Sequence, residues 1–242
     1  MEHDGGVTLP SPREGYPGGV PSVTTIIGAT MPKPALVNWA YECGKRGEDY
    51  IVTRDRAGSI GTVSHDMIEA HAGNLPWNSI ANGLPLEDQP KAWNAFIAYL
   101  GWRAKYPDIK ILLTEIRLVS RLHKFGGTID ATAIRDNFGR LLIDWKTSGG
   151  TWIDHIIQLA AYKNLWAENY PGEAFNECRL IHLDKDAARY NEFIYTGDQL
   201  DIHWRTFLRL REQYEDNKLI NKELNARKRA AEKALAEQLL SA

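Results

Sequence analysis

Apolar positions recur along the chain first at helical spacing and then at every second residue, and the change falls near residue 110. Before it, Ile60, Val63, Met67 and Ile68 mark a helix over Ala57–Ala72, with Gly73 as its stop. Trp93, Phe96, Ile97 and Leu100 mark another over Glu87–Lys105. Pro34, near a first turn, opens a shorter helix at Lys33–Tyr41. Val23–Ile27 reads as a short extended or helical segment, and the Gly- and Pro-rich residues 1–22 read as irregular. After the change, Ile111–Ser120, Gly127–Arg135 and Arg140–Lys146 read as three strands. Asp136-Asn137-Phe138-Gly139 supplies turn chemistry between the last two. Thr151 to Asp154 has the form of a capping box, opening a helix that runs to about Asn169 and stops before Pro171-Gly172. Arg179–Leu183 and Asn191–Tyr195 are short strands, and from about Asp198 one or two long helices run into the charge-dense stretch Lys222–Gln238. No internal repeat is visible. The order α, βββ, α, ββ, α predicts a mixed α/β domain.

Composition narrows the class. The 242 residues, 43% of them apolar, suffice for one sizeable core with an appendage. Two cysteines, Cys43 and Cys178, fall short of a disulfide framework and of a four-cysteine zinc or iron–sulfur site, so they read as buried thiols in a reducing compartment. No apolar run reaches membrane-spanning length, and the start, with Glu2 and Asp4, lacks the basic and apolar pattern of a secretory signal. A cytoplasmic protein is the expectation. The formal net charge of -2 argues mildly against a general nucleic-acid binder, although phosphate contacts need only a local basic groove.

The chemistry-bearing residues lie on the central strands. Asp144 and Lys146 are two apart on a strand and share a face. Asp130 sits on the preceding strand, and the hairpin loop decides whether it joins them. A three-residue loop, Asn137-Phe138-Gly139, puts Asp130 opposite Lys146 and diagonal to Asp144, with Gly139 left-handed. A two- or four-residue loop puts it on the other face, barring a bulge. Two carboxylates suit a hard divalent cation such as Mg²⁺, which would touch both a water and a phosphate oxygen. A neighbouring lysine can orient or deprotonate that water and stabilise developing negative charge. An isolated D-x-K is commonly a harmless surface pair, so the neighbours matter. On the following helix Gln158 and Tyr162 are i, i+4 and share a face. On an earlier helix His65 and Glu69 have the same spacing, with Gly61 one turn before.

These pieces, in this order, resemble the RecB-like branch of the PD-(D/E)XK nuclease superfamily. The matching parts are Gly61/His65/Glu69, Glu115, Gly127/Asp130, Asp144/Lys146 and Gln158/Tyr162, over about residues 57–165. Pro21-Ser22-Val23-Thr24-Thr25-Ile26, followed by Trp39, is similar to the start of certain phage exonucleases and of the mitochondrial genome maintenance exonuclease. Ile129 replaces the proline that names the superfamily, and the cysteine cluster of its iron–sulfur members is absent. The resemblance implies a restriction-endonuclease-like αβββαβ core with a mixed sheet over 57–197, an N-terminal extension (1–56) packed on it, and a long helical segment (198–242). It implies catalytic roles for Asp130, Asp144, Lys146, Gln158, Tyr162 and Glu115, and metal ligation by His65, Asp130, Asp144 and the Trp145 carbonyl. A ligating imidazole must be neutral, so activity is expected to fall below about pH 6.5.

The implied activity is Mg²⁺-dependent DNA hydrolysis, with Mn²⁺ as substitute and no iron–sulfur cluster. An exonuclease of phage or bacterial replication, recombination or repair comes first, acting on DNA with a free end or a single strand, with a recombination or replication protein as a partner. A structure-specific or single-strand endonuclease is the alternative, and a non-catalytic DNA-binding assembly protein is the alternative of another class. Expected DNA contacts are Arg121 and Lys124 ahead of Asp130, Trp152 as a base-stacking platform, and Ser22 and Thr24. Lys45, Arg46, Arg54 and Arg56 add positive charge before the His65 helix, whereas Lys222, Arg227, Lys228 and Arg229, interleaved with Glu, read as a solvated helix.

Overall fold

A computed structural model describes residues 19–240. The glycine-rich stretch expected to be irregular lies outside the described residues up to residue 18. The elements follow in the order α1 (Val23–Thr30), α2 (Pro34–Lys45), α3 (Tyr50–Ala72), a 3-10 turn (Ile80–Gly83), α4 (Gln89–Lys105), β1 (Ile109–Ser120), β2 (Phe125–Arg135), β3 (Gly139–Lys146), α5 (Ile153–Asn169), β4 (Glu177–Asp184), β5 (Arg189–Thr196) and α6 (Asp201–Leu240). The strands form one mixed sheet in the order β1-β2-β3-β4-β5. Only β3 and β4 run parallel, because α5 carries the chain back between them, and the other neighbours are antiparallel. This is the expected α/β architecture with a mixed sheet, N-terminal helices and a long C-terminal helix.

Strand alternation sorts the central apolar residues into two cores. Leu142 and Leu180 point to one face, where Val23 and Ile26 of α1, Leu159, Leu165 and Trp166 of α5, and Phe207 of α6 bury with them. Leu141, Ile143, Trp145 and Ile181 point to the other, against Ile60 and Met67 of α3 and Phe96, Tyr99 and Trp102 of α4. Both faces of β3 and β4 are covered, so consecutive apolar residues such as Leu141, Leu142 and Ile143, or Leu180 and Ile181, are all buried rather than alternating with exposed positions.

Several sequence expectations move. The β2–β3 loop is Asp136-Asn137-Phe138, one residue earlier than expected, because Arg135 pairs with Gly139. Gly139 does have positive φ, at 116°, and a Cβ there would collide with the Asn176 side chain. The cap of α5 is Trp152 rather than Thr151, and the Trp152 amide donates to His155 Nδ1 at 3.3 Å. Asp154, expected in a capping box, is drawn instead into an ion pair with Lys33 at 3.1 Å. The helix bearing His65 begins at Tyr50, capped by Asp49, so the 56/57 boundary falls inside it. The segment after Asp198 is a single helix of 40 residues. Cys43 and Cys178 are buried free thiols. Among the described residues no helix is long and apolar enough to cross a membrane.

Candidate active site

The site forms where two strands part. The β2–β3 ladder runs from Arg135↔Gly139 to Ala131↔Ile143 and ends there. Asp130 and Asp144 are the next residues on each strand, so they face each other across the fork. Past the last pair, the Trp145 amide donates to Asp130 Oδ2 at 2.8 Å. The one-residue change in the loop therefore leaves Asp130 on the shared face but puts it opposite Asp144 rather than Lys146. On the other side of β2, Glu115 lies opposite Asp130, between the pairs Thr114↔Ala131 and Ile116↔Ile129. Glu115 has φ +50°, a left-handed conformation rare for a non-glycine residue within a strand. The alternation breaks at this point: Ile129 joins the α5 core while Ala131 joins the α4 core. Strained backbone thus occurs where the Glu115 and Asp130 carboxyl groups come together.

His65 completes the group from α3. Its Nδ1 is 3.9 Å from Asp130 Oδ2, and the ring hydrogen-bonds to the Trp145 main chain. One ligand atom each of His65, Glu115 and Asp130 lie within 4.8 Å of one another, close enough to share a metal ion. Asp144 is not a member of that set. It is wholly buried, with Lys146 Nζ 2.7 Å from its Oδ2, yet neither of its oxygens accepts a well-formed hydrogen bond. Buried polar atoms without partners are rare and costly, and a hard cation beside them would satisfy them. The residues therefore fit a divalent ion: oxygen donors, one imidazole, and at the wall a wholly buried carboxylate paired with Lys146.

The electrostatics agree. Burial, then the charges of Asp130, Glu69 and Asp66, push the Glu115 carboxyl up to about 7. Burial, working against the attraction of Lys146, pushes Asp144 up to about 6, and burial raises Asp130 as well. Burial pulls the Lys146 ammonium down, but Asp144 and Asp130 outweigh it and hold the lysine protonated. Burial and the Lys146 charge lower the His65 imidazole to about 4, so it is neutral at physiological pH. The downward shift takes His65 away from the acid limit expected near pH 6.5, and the raised Glu115 and Asp144 carboxyl groups, which must ionise before they can bind a cation, titrate nearest to it.

Two glycines explain why the supporting residues come this close. A Cβ on Gly127 would lie 2.6 Å from Tyr162 Cε1, so only glycine lets the Tyr162 ring lie against β2. Tyr162 is buried and its hydroxyl accepts from Gln158 Nε2 at 2.7 Å. Burial, then the charges of Asp144 and Asp130, keep it a neutral phenol. A Cβ on Gly61 would approach Thr147 Oγ1 to 3.0 Å, so this glycine lets α3 lie against the loop after β3. The spacing G-x-x-x-H and G-x-x-D thus carries a steric requirement as well as a chemical one.

The remaining expected residues lie around this centre. Ser22 caps α1 by accepting from the Thr25 amide at 3.0 Å, and its hydroxyl is 2.8 Å from that of Thr24. Ser22 also bridges to Gly126, at the start of β2. Arg121 and Lys124 occupy the exposed β1–β2 turn, and Trp152 is exposed at the start of α5. The positive charge expected ahead of His65 pairs locally: Lys45 with Glu42 and Arg46 with Glu48 before α3, and Arg54 with Asp55 and Arg56 with Asp88 in its first turns. Sequence reasoning missed His182 and His155. His182 lies on β4 beside Lys146 and its Nε2 is 2.5 Å from the Ser148 carbonyl, tying down the loop after β3. His155 lies in the first turn of α5, where burial and the Lys146 charge lower it to about 4. A histidine interrupting the apolar run Leu180–Leu183 was the available signal for the first.

No protein-family model matches the chain, and no curated protein does. Solved structures do. A protein of Eubacterium rectale provisionally named an exonuclease is 9% identical, with 64% of this chain and 68% of that one covered and a TM-score of 0.40. The alkaline exonuclease of Laribacter hongkongensis is 16% identical, with 52% of this chain and 70% of that one covered and a TM-score of 0.30. In its complex with dAMP that exonuclease scores 0.34, at 16% identity over 54% of this chain and 69% of that one. At these scores and identities the likenesses carry no argument about what this chain does.

Proposed function

We propose that this chain is a divalent-metal-dependent nuclease that hydrolyses DNA phosphodiester bonds, with exonuclease action on a DNA end as the favoured form. One observation carries the reading: a His65/Glu115/Asp130 donor group adjoins a wholly buried Asp144, paired with a protonated lysine 2.7 Å away. His65 would offer a neutral imidazole nitrogen, Glu115, Asp130 and Asp144 carboxylate oxygens, and Trp145 its main-chain carbonyl. Mg²⁺ suits the oxygen donors, and Mn²⁺ accepts the imidazole more readily. When bound, such an ion lowers the pKa of a water and neutralises charge on the scissile phosphate.

The chain's own groups supply the rest. Lys146, held as an ammonium by Asp144 and Asp130, donates hydrogen bonds to a phosphate oxygen and stabilises the charge that develops there. That assignment favours orientation over proton abstraction, the two roles left open by the sequence. Tyr162 keeps its proton and receives the Gln158 amide, so its own hydroxyl hydrogen is available to a carboxylate or phosphate oxygen beside it. His182 holds the loop after Lys146 in place, which limits the lysine's travel. In this reading the catalytic unit is the sheet with α3, α4 and α5, close to residues 57–197, and α1 and α2 pack on it as an extension.

Incubation of end-labelled linear DNA and covalently closed circular DNA with Mg²⁺, Mn²⁺, Ca²⁺ or EDTA tests the proposal. Mononucleotide release from linear DNA with Mg²⁺ or Mn²⁺ is expected, with little with Ca²⁺ and none in EDTA. Cleavage of the circle would replace the exonuclease with an endonuclease. Undiminished turnover in excess EDTA, or no turnover with any ion on single- or double-stranded DNA, would sink the nuclease reading.

A further inference from the structure

The last part of α6 leaves the body of the protein. Every residue from Asp216 to Lys233 is exposed, and from Asp216 to Leu240 the helix extends about 36 Å at 1.5 Å per residue. Its charge is opposite to that of the rest. Between Asp216 and Lys233 stand six Lys or Arg and three Asp or Glu, a net of +3, in a chain whose formal net charge is -2. The remainder therefore carries -5.

The positive charge is also ordered. Lys218, Lys222, Arg229 and Lys233 fall at i, i+4, i+11 and i+15, so at 100° per residue they lie within about 60° of one another. They form a stripe about 22 Å long. Glu223 points away and is paired with Arg227 at 2.6 Å, Asp216 also points away, and Glu232 borders the stripe. Lys222 and Arg229 have no ion pair among the described residues, and Lys218 pairs with Glu215 at 3.4 Å and lies 5.7 Å from the centre of the Tyr214 ring. Apolar Ile220, Leu224 and Ala231 take the opposite side. The sequence alone suggested a uniformly solvated helix, whereas the helix separates its charges.

The direction of exit gives the stripe a purpose. Arg211 fixes α6 to the β1–β2 turn through bonds from Nε and Nη2 to the Lys124 carbonyl at 3.1 and 2.9 Å. Because β2 is antiparallel to β1 and to β3, that turn lies at the same end of the sheet as Asp144 and Lys146. The helix thus projects from the end of the molecule where the candidate site opens, past the turn that carries Arg121 and Lys124.

We infer that the projecting half of α6 is a nucleic-acid rail, on which Lys218, Lys222, Arg229 and Lys233 hold the phosphate backbone of DNA that runs on from the site. A polyanion is the occupant that matches a cationic stripe on an otherwise acidic protein. This inference rests on the proposed nuclease reading for its DNA substrate, but binding can be measured without catalysis.

The test compares wild type with Lys218→Gln/Lys222→Gln/Arg229→Gln, and with the off-stripe control Arg227→Gln/Lys228→Gln, all as full-length protein. Affinity for labelled duplex DNA is measured in EDTA between about 50 and 200 mM salt. Each lost phosphate contact removes about 0.9 from the slope of log K against log[salt], so the triple variant should lose salt sensitivity by about 40-fold across that range. The control should change much less. Turnover of bis(p-nitrophenyl) phosphate, too small to reach α6, should match wild type. Unchanged slope in the triple variant, an equal loss in the control, or a loss confined to phosphatidylserine vesicles would overturn the rail. If bis(p-nitrophenyl) phosphate and DNA are not hydrolysed by wild type, the nuclease reading fails while the slopes still decide the rail.

Discussion

The most informative perturbation of the site is Asp144→Asn, because it should inactivate the protein and stabilise it together. Asp144 is wholly buried, and in the metal-free protein its pKa rises from 3.8 to about 6. At 1.36 kcal/mol per tenfold change, the ionised carboxylate therefore disfavours the folded state by about 3 kcal/mol at neutral pH. Asn keeps the shape and removes the charge, but its amide brings unsatisfied donors that cost about 1–2 kcal/mol. The net gain is about 1–2 kcal/mol, or a Tm higher by about 2–8 °C for a chain of this size. The pH signature follows from linkage. Between 3.8 and about 6 the folded protein holds the proton more tightly than the unfolded chain, so this group's contribution is intact below 3.8 and falls as pH rises through 6. The stability difference between variant and wild type should thus be small near pH 3.5 and reach its full size above about pH 7. Urea unfolding in EDTA across pH measures it. Saturating Mn²⁺ should reverse the order, because wild type gains from binding and the variant loses a ligand. A variant less stable than wild type in EDTA at pH 8, or a difference that does not change with pH, would refute the reasoning.

Four further outcomes are expected. Lys146→Ala should lower DNA turnover by about 10²–10³ or more while leaving metal binding and DNA affinity in Ca²⁺ near wild type; wild-type turnover by the folded variant would remove Lys146 from the mechanism. Gly127→Ala places a methyl group against Tyr162 and should cost about 1–3 kcal/mol in urea unfolding, with a fall in turnover because the Gln158–Tyr162 pair is displaced; an unchanged midpoint would mean the two elements can separate freely. Turnover at limiting Mg²⁺ should fall as pH drops through about 7 to 6, where Glu115 and Asp144 take up protons, and the fall should move to lower pH as Mg²⁺ is raised. His65→Gln should leave that acid limb in place while weakening Mn²⁺ binding more than Mg²⁺ binding, and loss of the limb in this variant would return it to the imidazole.

Much of this was legible in the chain. The change from helical to alternating period near residue 110 locates the five strands, and the two-residue spacing of Asp144 and Lys146 puts them on one face whatever surrounds them. The turn chemistry of Asp136 to Gly139 announces a three-residue hairpin loop whose parity brings Asp130 to that face, although Gly139, with its positive φ, opens β3 instead of closing the loop. These are local properties, set by side-chain alternation and by the φ each residue tolerates. Tertiary structure decided everything that depends on where distant segments meet. The loop slipped by one residue, so Asp130 faces Asp144 across the end of a ladder. Glu115 took a left-handed conformation that no propensity foretells, and it joined His65 and Asp130 as a donor while Asp144 turned to Lys146. Arg46, Arg54 and Arg56 found acidic partners, and the charges of α6 sorted into a stripe only once one unbroken helix extended past the body. Residues 65, 115, 130 and 144 are brought together by strand register, sheet twist and helix packing. Those are settled by the burial of both sheet faces at once, a condition on the whole chain that no short stretch of it can express.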